Sequence, residues 1–394
     1  MQEKISTDSI VLKKGKDKPV RQRHHWIYSG AVHSLPPKEC GLIASVRSSQ
    51  GELLGIAAIC RGRSITAHML SFGDMPLETA LRLRIRQAFA MRQKIFDPDI
   101  TNAYRLINAE GDGIPGLIVD SYDGILVAQI SHPGIAAIQE LIFSILIEEA
   151  KPKGIYEKST SFLRKKEGMD AVQTHRFGDQ PESVIIRENG LRFRVDLKNG
   201  QKTGWFLDQR EMRKQVFELA SCFDVLNVFA YSGGFSVSAL SGQAKSVTSV
   251  EISAKCQALV DENLSLNNLC PDRHRFVQAD AFEFLKREPL PYDLVILDPP
   301  AFVKKREDIA NAFRAYKEMN RVTIEKMKPG SMLITCSCSY HVDEELFQNI
   351  LFRAAMEANR SVRIVGRHRQ ALDHPISIYH PESSYLKSLV LYIE

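Results

Sequence analysis

The sequence predicts an α/β chain, with an open parallel sheet covered by helices at its C-terminal end, preceded by a small β-barrel and a small α+β unit. Three observations carry the prediction. Between Asp224 and Ser339, short apolar, β-branched runs alternate with amphipathic stretches such as Ala254 to Asn267 and Ile309 to Met327, the pattern of strands buried on both faces. Each run ends on a residue with chemistry to offer. At 394 residues the chain exceeds the usual size of one core, so two or three domains are expected.

Residues 1–73 mix short β-like runs with turns and are dense in cations: Lys13, Lys14, Lys16, Lys18, Arg21 and Arg23, followed by His24 and His25. A small barrel with a basic rim and a few aromatics suits RNA, and a solvated basic face is the plainer reading of the same charges. From Leu77 to Phe96 the period is helical, with arginines that fit either a solvated face or backbone-phosphate contacts. The middle segment, 74–190 with that helix, predicts strands at Tyr104 to Asn108, Leu117 to Val119, Ile125 to Ile130 and Ile155 to Lys158, and a helix over Ile135 to Ala150. Glu188-Asn-Gly190 is a hairpin turn between two further strands. The catalytic part, 191–394, starts there.

Within it, Lys202-Thr-Gly-Trp-Phe-Leu-Asp-Gln-Arg210 leads into a helix at Glu211. Lys202 and Arg210 suit a carboxylate, Phe206 packs beside it and Asp208 suits an ammonium; Asp208 with Glu211 is equally a capping-box variant. The strand Asp224 to Phe229 runs into a turn with Gly233-Gly234, which lets backbone approach a ligand and offers helix N–H groups to an anion. Glu251 ends the second strand, where it suits two ribose hydroxyls, and Asp280 ends the third, with Phe282 beside it for a ring. Ligands bind such sheets at these carboxyl ends. The glycine spacing is not that of a dinucleotide fingerprint, which disfavours a dehydrogenase. The fourth strand runs into Asp298-Pro-Pro-Ala-Phe302, and the last into Cys336-Ser-Cys-Ser339.

Composition sets the class. Hydrophobic content of 44% and charged content of 25% are those of a soluble globular protein, and no apolar run is long enough to span a membrane. Seven cysteines lack any Cys-x-x-Cys spacing, so neither a zinc site nor a disulfide framework is expected, and a reducing cytoplasm is. The net charge of +5 decides nothing until the cations are placed.

Arg23 to Gly30, Tyr104 to Gly113, Arg164 to Gly168, Lys202 to Arg210, Asp298 to Phe302, Thr335 to Ser339 and His374-Pro375 together resemble the RlmI-type class I S-adenosylmethionine (SAM) methyltransferases of large-subunit ribosomal RNA. The resemblance covers nearly the whole chain. It implies a Rossmann-like methyltransferase domain at the C-terminus, a PUA-like RNA-binding barrel at the N-terminus and a spacer domain between them. It implies a SAM site made by Phe206, Asp208, Arg210, Asn227, Phe229, Ala230, Tyr231, Ser232, Gly233, Gly234, Glu251, Ile252, Ser253, Asp280, Ala281, Phe282 and Asp298. Lys14, Arg23, His25, Pro299, Pro300 and Phe302 are the expected RNA contacts. RNA is the expected partner, with no membrane and with a homodimer as the candidate assembly.

The family's best-known activity is C5 methylation of cytosine, a carbon too weakly nucleophilic to be methylated until a thiolate has added to C6. Spacing does not choose between Cys336 and Cys338; the resemblance assigns the nucleophile to Cys338. The thiol needs a nearby cation, for which Lys304, Lys305 and Lys317 are candidates. Asp298, stiffened by two prolines, would hydrogen-bond the base, and Phe302 would stack on it; a turn cap is the structural alternative for Asp298. Ala301 stands where better-known members often have lysine. The rival readings are methylation of a base amino group, for which cysteine is dispensable, and a non-catalytic RNA-binding assembly factor.

Overall fold

The structure, a computed structural model, describes residues 6–37, 42–302 and 308–394. The chain forms two compact units. The first comprises Met1–Ile186, Val195–Leu207 and Leu372–Ser383; the second comprises Arg187–Arg194, Asp208–Ala371 and Ser384–Glu394.

In the first unit, β1 (Ser6–Leu12), β2 (Trp26–Tyr28), β3 (Val32–Ser34), β4 (Ile43–Arg47), β5 (Leu53–Ile59) and β6 (Ile65–Phe72) form one sheet in the order β2-β6-β5-β4-β1-β3. Every ladder in it carries a register shift, and such irregularities sharpen twist and curl a sheet toward a barrel. A second sheet, β11-β10-β9-β8-β7, is built from β7 (Ala103–Asn108), β8 (Leu117–Tyr122), β9 (Ile125–Ile130), β10 (Gly154–Ser159) and β11 (Val172–Gly178). The first sheet ends at Phe72, near the expected boundary at residue 73, and apolar packing continues past it. Ile43, Ile56 and Leu70 of the first sheet share one apolar cluster with Leu81 and Ile85 of the helix Leu77–Ile95 and with Leu106, Leu126 and Ile145. The helix expected over Ile135 to Ala150 is two, Pro133–Ala137 and Gln139–Ala150, broken at Ile138.

The arginines of the helix Leu77–Ile95 settle on protein partners. Arg86 binds Glu149 through two bonds of 2.9 and 2.8 Å, and Arg82 reaches Glu148 at 2.5 Å. Arg92 is fully buried on Asp112, at 2.6 and 2.8 Å, and on the carbonyl of Asp373. That last bond, with the Asp373 carboxylate accepting from the Arg105 N–H at 2.7 Å and the Pro375 carbonyl accepting from Asn108 at 3.0 Å, puts 372–383 in the first unit. The sequence reading had assigned that segment to the catalytic domain.

The hairpin of β12 (Ser183–Glu188) and β13 (Leu191–Asp196) turns through Asn189 and Gly190, both at positive φ. In the second unit a seven-stranded sheet comprises β14 (Asp224–Val228), β15 (Ser246–Glu251), β16 (His274–Gln278), β17 (Leu294–Leu297), β18 (Ser331–Ser337), β19 (Val362–Arg369) and β20 (Lys387–Ile393). Its order is β16-β15-β14-β17-β18-β20-β19, parallel from β16 through β18 and antiparallel at β20 and β19. The chain winds outward from β14 to β16, then returns to start again at β17. Strand order therefore reverses between β14 and β17, which opens the binding crevice there. No helix among the described residues is long and apolar enough to cross a membrane.

Candidate active site

The carboxyl ends of β14, β15, β16, β17 and β18 bring together most of the residues expected to act. Past β14 the backbone turns sharply, with Phe229, Tyr231 and Gly233 all at positive φ, before the helix Gly234–Ser241 begins. A Cβ on Gly233 would lie 3.0 Å from a Val260 methyl, so glycine is needed for both conformation and space. Glu251 closes the turn by accepting from the N–H groups of Tyr231 at 3.0 Å and Ser253 at 3.1 Å, one on each oxygen. Both oxygens keep lone pairs for a ligand. Beside them Ile252 is 65% exposed, an apolar face next to an acid.

Asn227 is buried, its amide donating to Ser236 Oγ at 2.8 Å, while its Oδ1 and the buried Ser232 Oγ have no hydrogen-bond partner among the described residues. Unsatisfied buried acceptors at a glycine turn mark a place for a polar ligand. Ala230 and Ala281 are buried. Asp280 caps the helix Ala281–Arg287 through one oxygen, 3.0 Å from the Glu283 N–H, and leaves its other oxygen free of that bond.

Segment 202–210 divides between the units. Thr203 is anchored in the first by Asp120 at 2.6 Å and Tyr122 at 2.8 Å, and Lys202 lies with its Nζ 4.4 Å from the centre of the Phe206 ring. In the second unit Asp208 is buried and accepts from Tyr385 OH at 2.7 Å. Gln209, and not Asp208, is the N-cap of the helix Arg210–Leu219, and the Gln209 side chain makes no capping bond. Arg210 is buried, its Nε 3.7 Å from Glu188.

At the end of β17, Asp298 accepts from the Gln209 amide at 3.0 Å, and Pro299 is buried behind it while Pro300 is exposed. Parallel pairing of Leu297 with Thr335 sets Asp298 beside the last residues of β18. Cys336 is fully buried; burial first, and the charge of Asp298 next, push its thiol well up, so it is an inert core thiol. Cys338, just past the strand, is half-buried with Sγ 3.8 Å from the Pro299 carbonyl. Phe302 packs between Tyr316, 4.7 Å between ring centres, and Phe282 at 5.9 Å.

The cation beside Cys338 is one the sequence reading missed. Lys387, 6% exposed, donates to the carbonyls of Ser339 and Tyr385 at 2.7 Å each. Burial pulls its amine down to about 8, and the charge of Cys338 pulls the other way. Lys317 is spent on Glu357 at 2.6 and 2.7 Å, and Lys304 and Lys305 lie outside the described residues. Only the antiparallel pairing of β20 with β18, Ser337 opposite Lys387, brings this lysine to the site; no local signal could have found it. Tyr316 and Gln209 were missed for the same reason.

Of the expected RNA contacts in the first unit, Lys14 and Arg23 are exposed, with Arg23 over the Tyr379 ring at 5.9 Å. His25 is not a surface contact. It is buried, bonded to the Met69 carbonyl at 3.0 Å, and burial pulls it down to about 4. Arg21 is likewise occupied by Asp17 and Glu52.

The sequence profile of S-adenosylmethionine-dependent methyltransferases matches residues 117–388, and that of a PUA-like domain matches residues 10–72. Proteins named ribosomal RNA large subunit methyltransferase I are similar over nearly their whole length. That of Alteromonas mediterranea is 36% identical over 387 residues, 97% of this chain and 98% of the relative; that of Vibrio cholerae is 37% identical over 390 residues with the same coverage. A solved SAM-dependent methyltransferase candidate from Streptococcus mutans shares the fold at a TM-score of 0.84 and 24% identity, over 97% of this chain and 99% of that one. A second, complexed with S-adenosylhomocysteine, has a TM-score of 0.85, with the same identity and coverage.

Proposed function

The chain belongs to the S-adenosylmethionine-dependent methyltransferase family, and on that premise we propose that it forms 5-methylcytosine in large-subunit ribosomal RNA through a bond between Cys338 and cytosine C6. The relatives' name supports the RNA, and the chemistry of the site supports the atom. The observation that carries the C5 reading is the half-buried thiol of Cys338 next to the strand end bearing Asp298, with the Lys387 ammonium buried alongside.

Glu251 would hold the ribose hydroxyls of the cofactor, Asp280 and Phe282 its adenine, and the turn from Phe229 to Gly234 would pass close under it, with Asn227, Ser232 and Ser253 completing the pocket. Asp208 and Arg210 would meet its methionine part. When bound, S-adenosylmethionine supplies an electrophilic methyl group on a sulfonium.

The chain's own groups do the rest. The Lys387 charge favours the Cys338 thiolate, whose electron pair forms the bond to C6 and raises electron density at C5. Asp298, held by Gln209, accepts from the exocyclic amine or, when protonated, donates to N3, and so stabilises the charge that develops on the ring. Once C5 is methylated, its proton passes to a solvent water, the C5–H pair re-forms the C5–C6 double bond, and the C6–S pair returns to Cys338 as the base is released. Phe302 and Pro300 face the base, and Lys14 and Arg23 grip backbone phosphates. A base inside a duplex must be swung out to reach such a thiol, which favours unpaired RNA.

Mass spectrometry of nucleosides from ribosomal RNA tests this reading. Cells lacking the protein should lose one 5-methylcytosine, restored by the wild-type chain and not by Cys338→Ala. Restoration by Cys338→Ala, or loss of a methyl group from an amino nitrogen instead, would overturn it.

A further inference from the structure

Away from the methyltransferase site, the first unit holds a cluster of histidines that the proposed chemistry does not use. His24, His380 and Glu382 each offer one ligand atom, and these atoms lie within 4.8 Å of one another. His24 Nε2 stands 3.2 Å from one carboxylate oxygen of Glu382, and His380 Nδ1 stands 3.6 Å from the other. Two nitrogens or oxygens bound to the same tetrahedral zinc ion, at about 2.0–2.1 Å each, stand roughly 3.3–3.5 Å apart.

A second observation points to a ligand. The side chain of His380 is 1% exposed, and neither its Nδ1 nor Glu382 Oε2 has a hydrogen-bond partner among the described residues. Two buried polar atoms that face each other without hydrogen-bond partners are costly unless a ligand lies between them. His24 Nδ1 accepts from the Trp26 N–H at 3.2 Å and lies 3.3 Å from the Trp26 carbonyl, so the backbone of Trp26 fixes the ring. The rings of Trp26 and His24 stand 4.5 and 4.8 Å from that of His380 and wall the cluster.

We propose that His24, His380 and Glu382 bind one divalent transition-metal ion, zinc by the chemistry of a two-nitrogen, one-oxygen donor set, and that the ion clamps segment 372–383 beside β2. Magnesium and calcium, which prefer all-oxygen shells, do not suit it. The bound ion joins residues 356 positions apart in sequence, and its effect is on the order of the segment.

The test uses the full chain, stripped with a chelator and titrated with Zn²⁺ against a chromophoric zinc indicator. One equivalent should bind, and His380→Gln or Glu382→Gln should each weaken it by about a hundredfold or more. Zinc should also raise the melting temperature of the wild type and not that of either variant. Cobalt loading separates this site from the cysteines: ligand-field bands without thiolate charge-transfer absorption are expected. Binding that both substitutions leave unchanged, a thiolate band, or no stoichiometric binding would overturn the proposal. Should the buried substitution disturb folding, the half-buried His24→Gln and the wild-type cobalt spectrum decide.

Discussion

A lysine ammonium taken out of water loses hydration worth several kcal/mol, and two carbonyls restore only part of it. Lys387 is in that position, and its amine falls from 10.5 to about 8 as a result. Between those two values the unfolded chain binds more protons than the folded one, so this residue makes stability rise with pH across that window. For activity the sign is opposite, since above about 8 the charge that favours the Cys338 thiolate is lost. Methylation should follow a bell-shaped pH profile, with an acid limb from thiolate formation and an alkaline limb near 8. Lys387→Met should remove the alkaline limb, move the acid limb upward and slow the reaction by about ten- to a hundredfold at neutral pH, without lowering the melting temperature. Cys338→Ala should cost about a thousandfold or more in single-turnover methylation while S-adenosylhomocysteine still binds. Cys336→Ala should keep most of the activity, because its sulfur is buried.

Single residues act here because the elements holding them are stiff. The turn after β14 places three residues at positive φ in a row of five, and only one of the three is glycine. Gly233→Ala would add about 1–2 kcal/mol of backbone strain and a contact with Val260. Calorimetric titration with S-adenosylhomocysteine should show weaker binding, by roughly tenfold. The hairpin tip is tied to the helix Arg210–Leu219 by a buried pair, Arg213 to Glu188 at 2.6 and 2.7 Å. Arg213→Leu removes two charge-assisted bonds and leaves Glu188 to Arg210, which should cost about 2–3 kcal/mol, read as a lower urea midpoint.

Across the whole molecule, the response on the acid side comes from buried histidines, several of them in the first unit. His25, His132 and His380 are pulled from 6.5 to about 4 by burial, and His68 lies well below its ordinary value for the same reason. Neutral imidazole is the folded form, so these groups contribute fully above about 6.5, and their contribution is lost as pH falls toward 4. Scanning calorimetry of the full chain should show the melting temperature dropping over that interval, and His25→Leu should flatten the drop if the leucine packs in the same space.

Local pattern was enough to read the parallel core. The apolar runs ending at Val228, Glu251, Gln278, Leu297 and Ser337 needed only their own periodicity and the helices between them. The acids, the glycine turn and the two thiols at their ends followed from sequence adjacency. What depends on pairing between distant segments was decided only by the tertiary structure. The antiparallel return of β20 delivers Lys387 to Cys338, Tyr385 donates to the Asp208 carboxylate from 177 positions away, and buried Arg92 holds segment 372–383 in the first unit. Burial likewise reassigned His25 from a basic rim to a core, because exposure is a property of the neighbours a residue acquires and not of the residue itself.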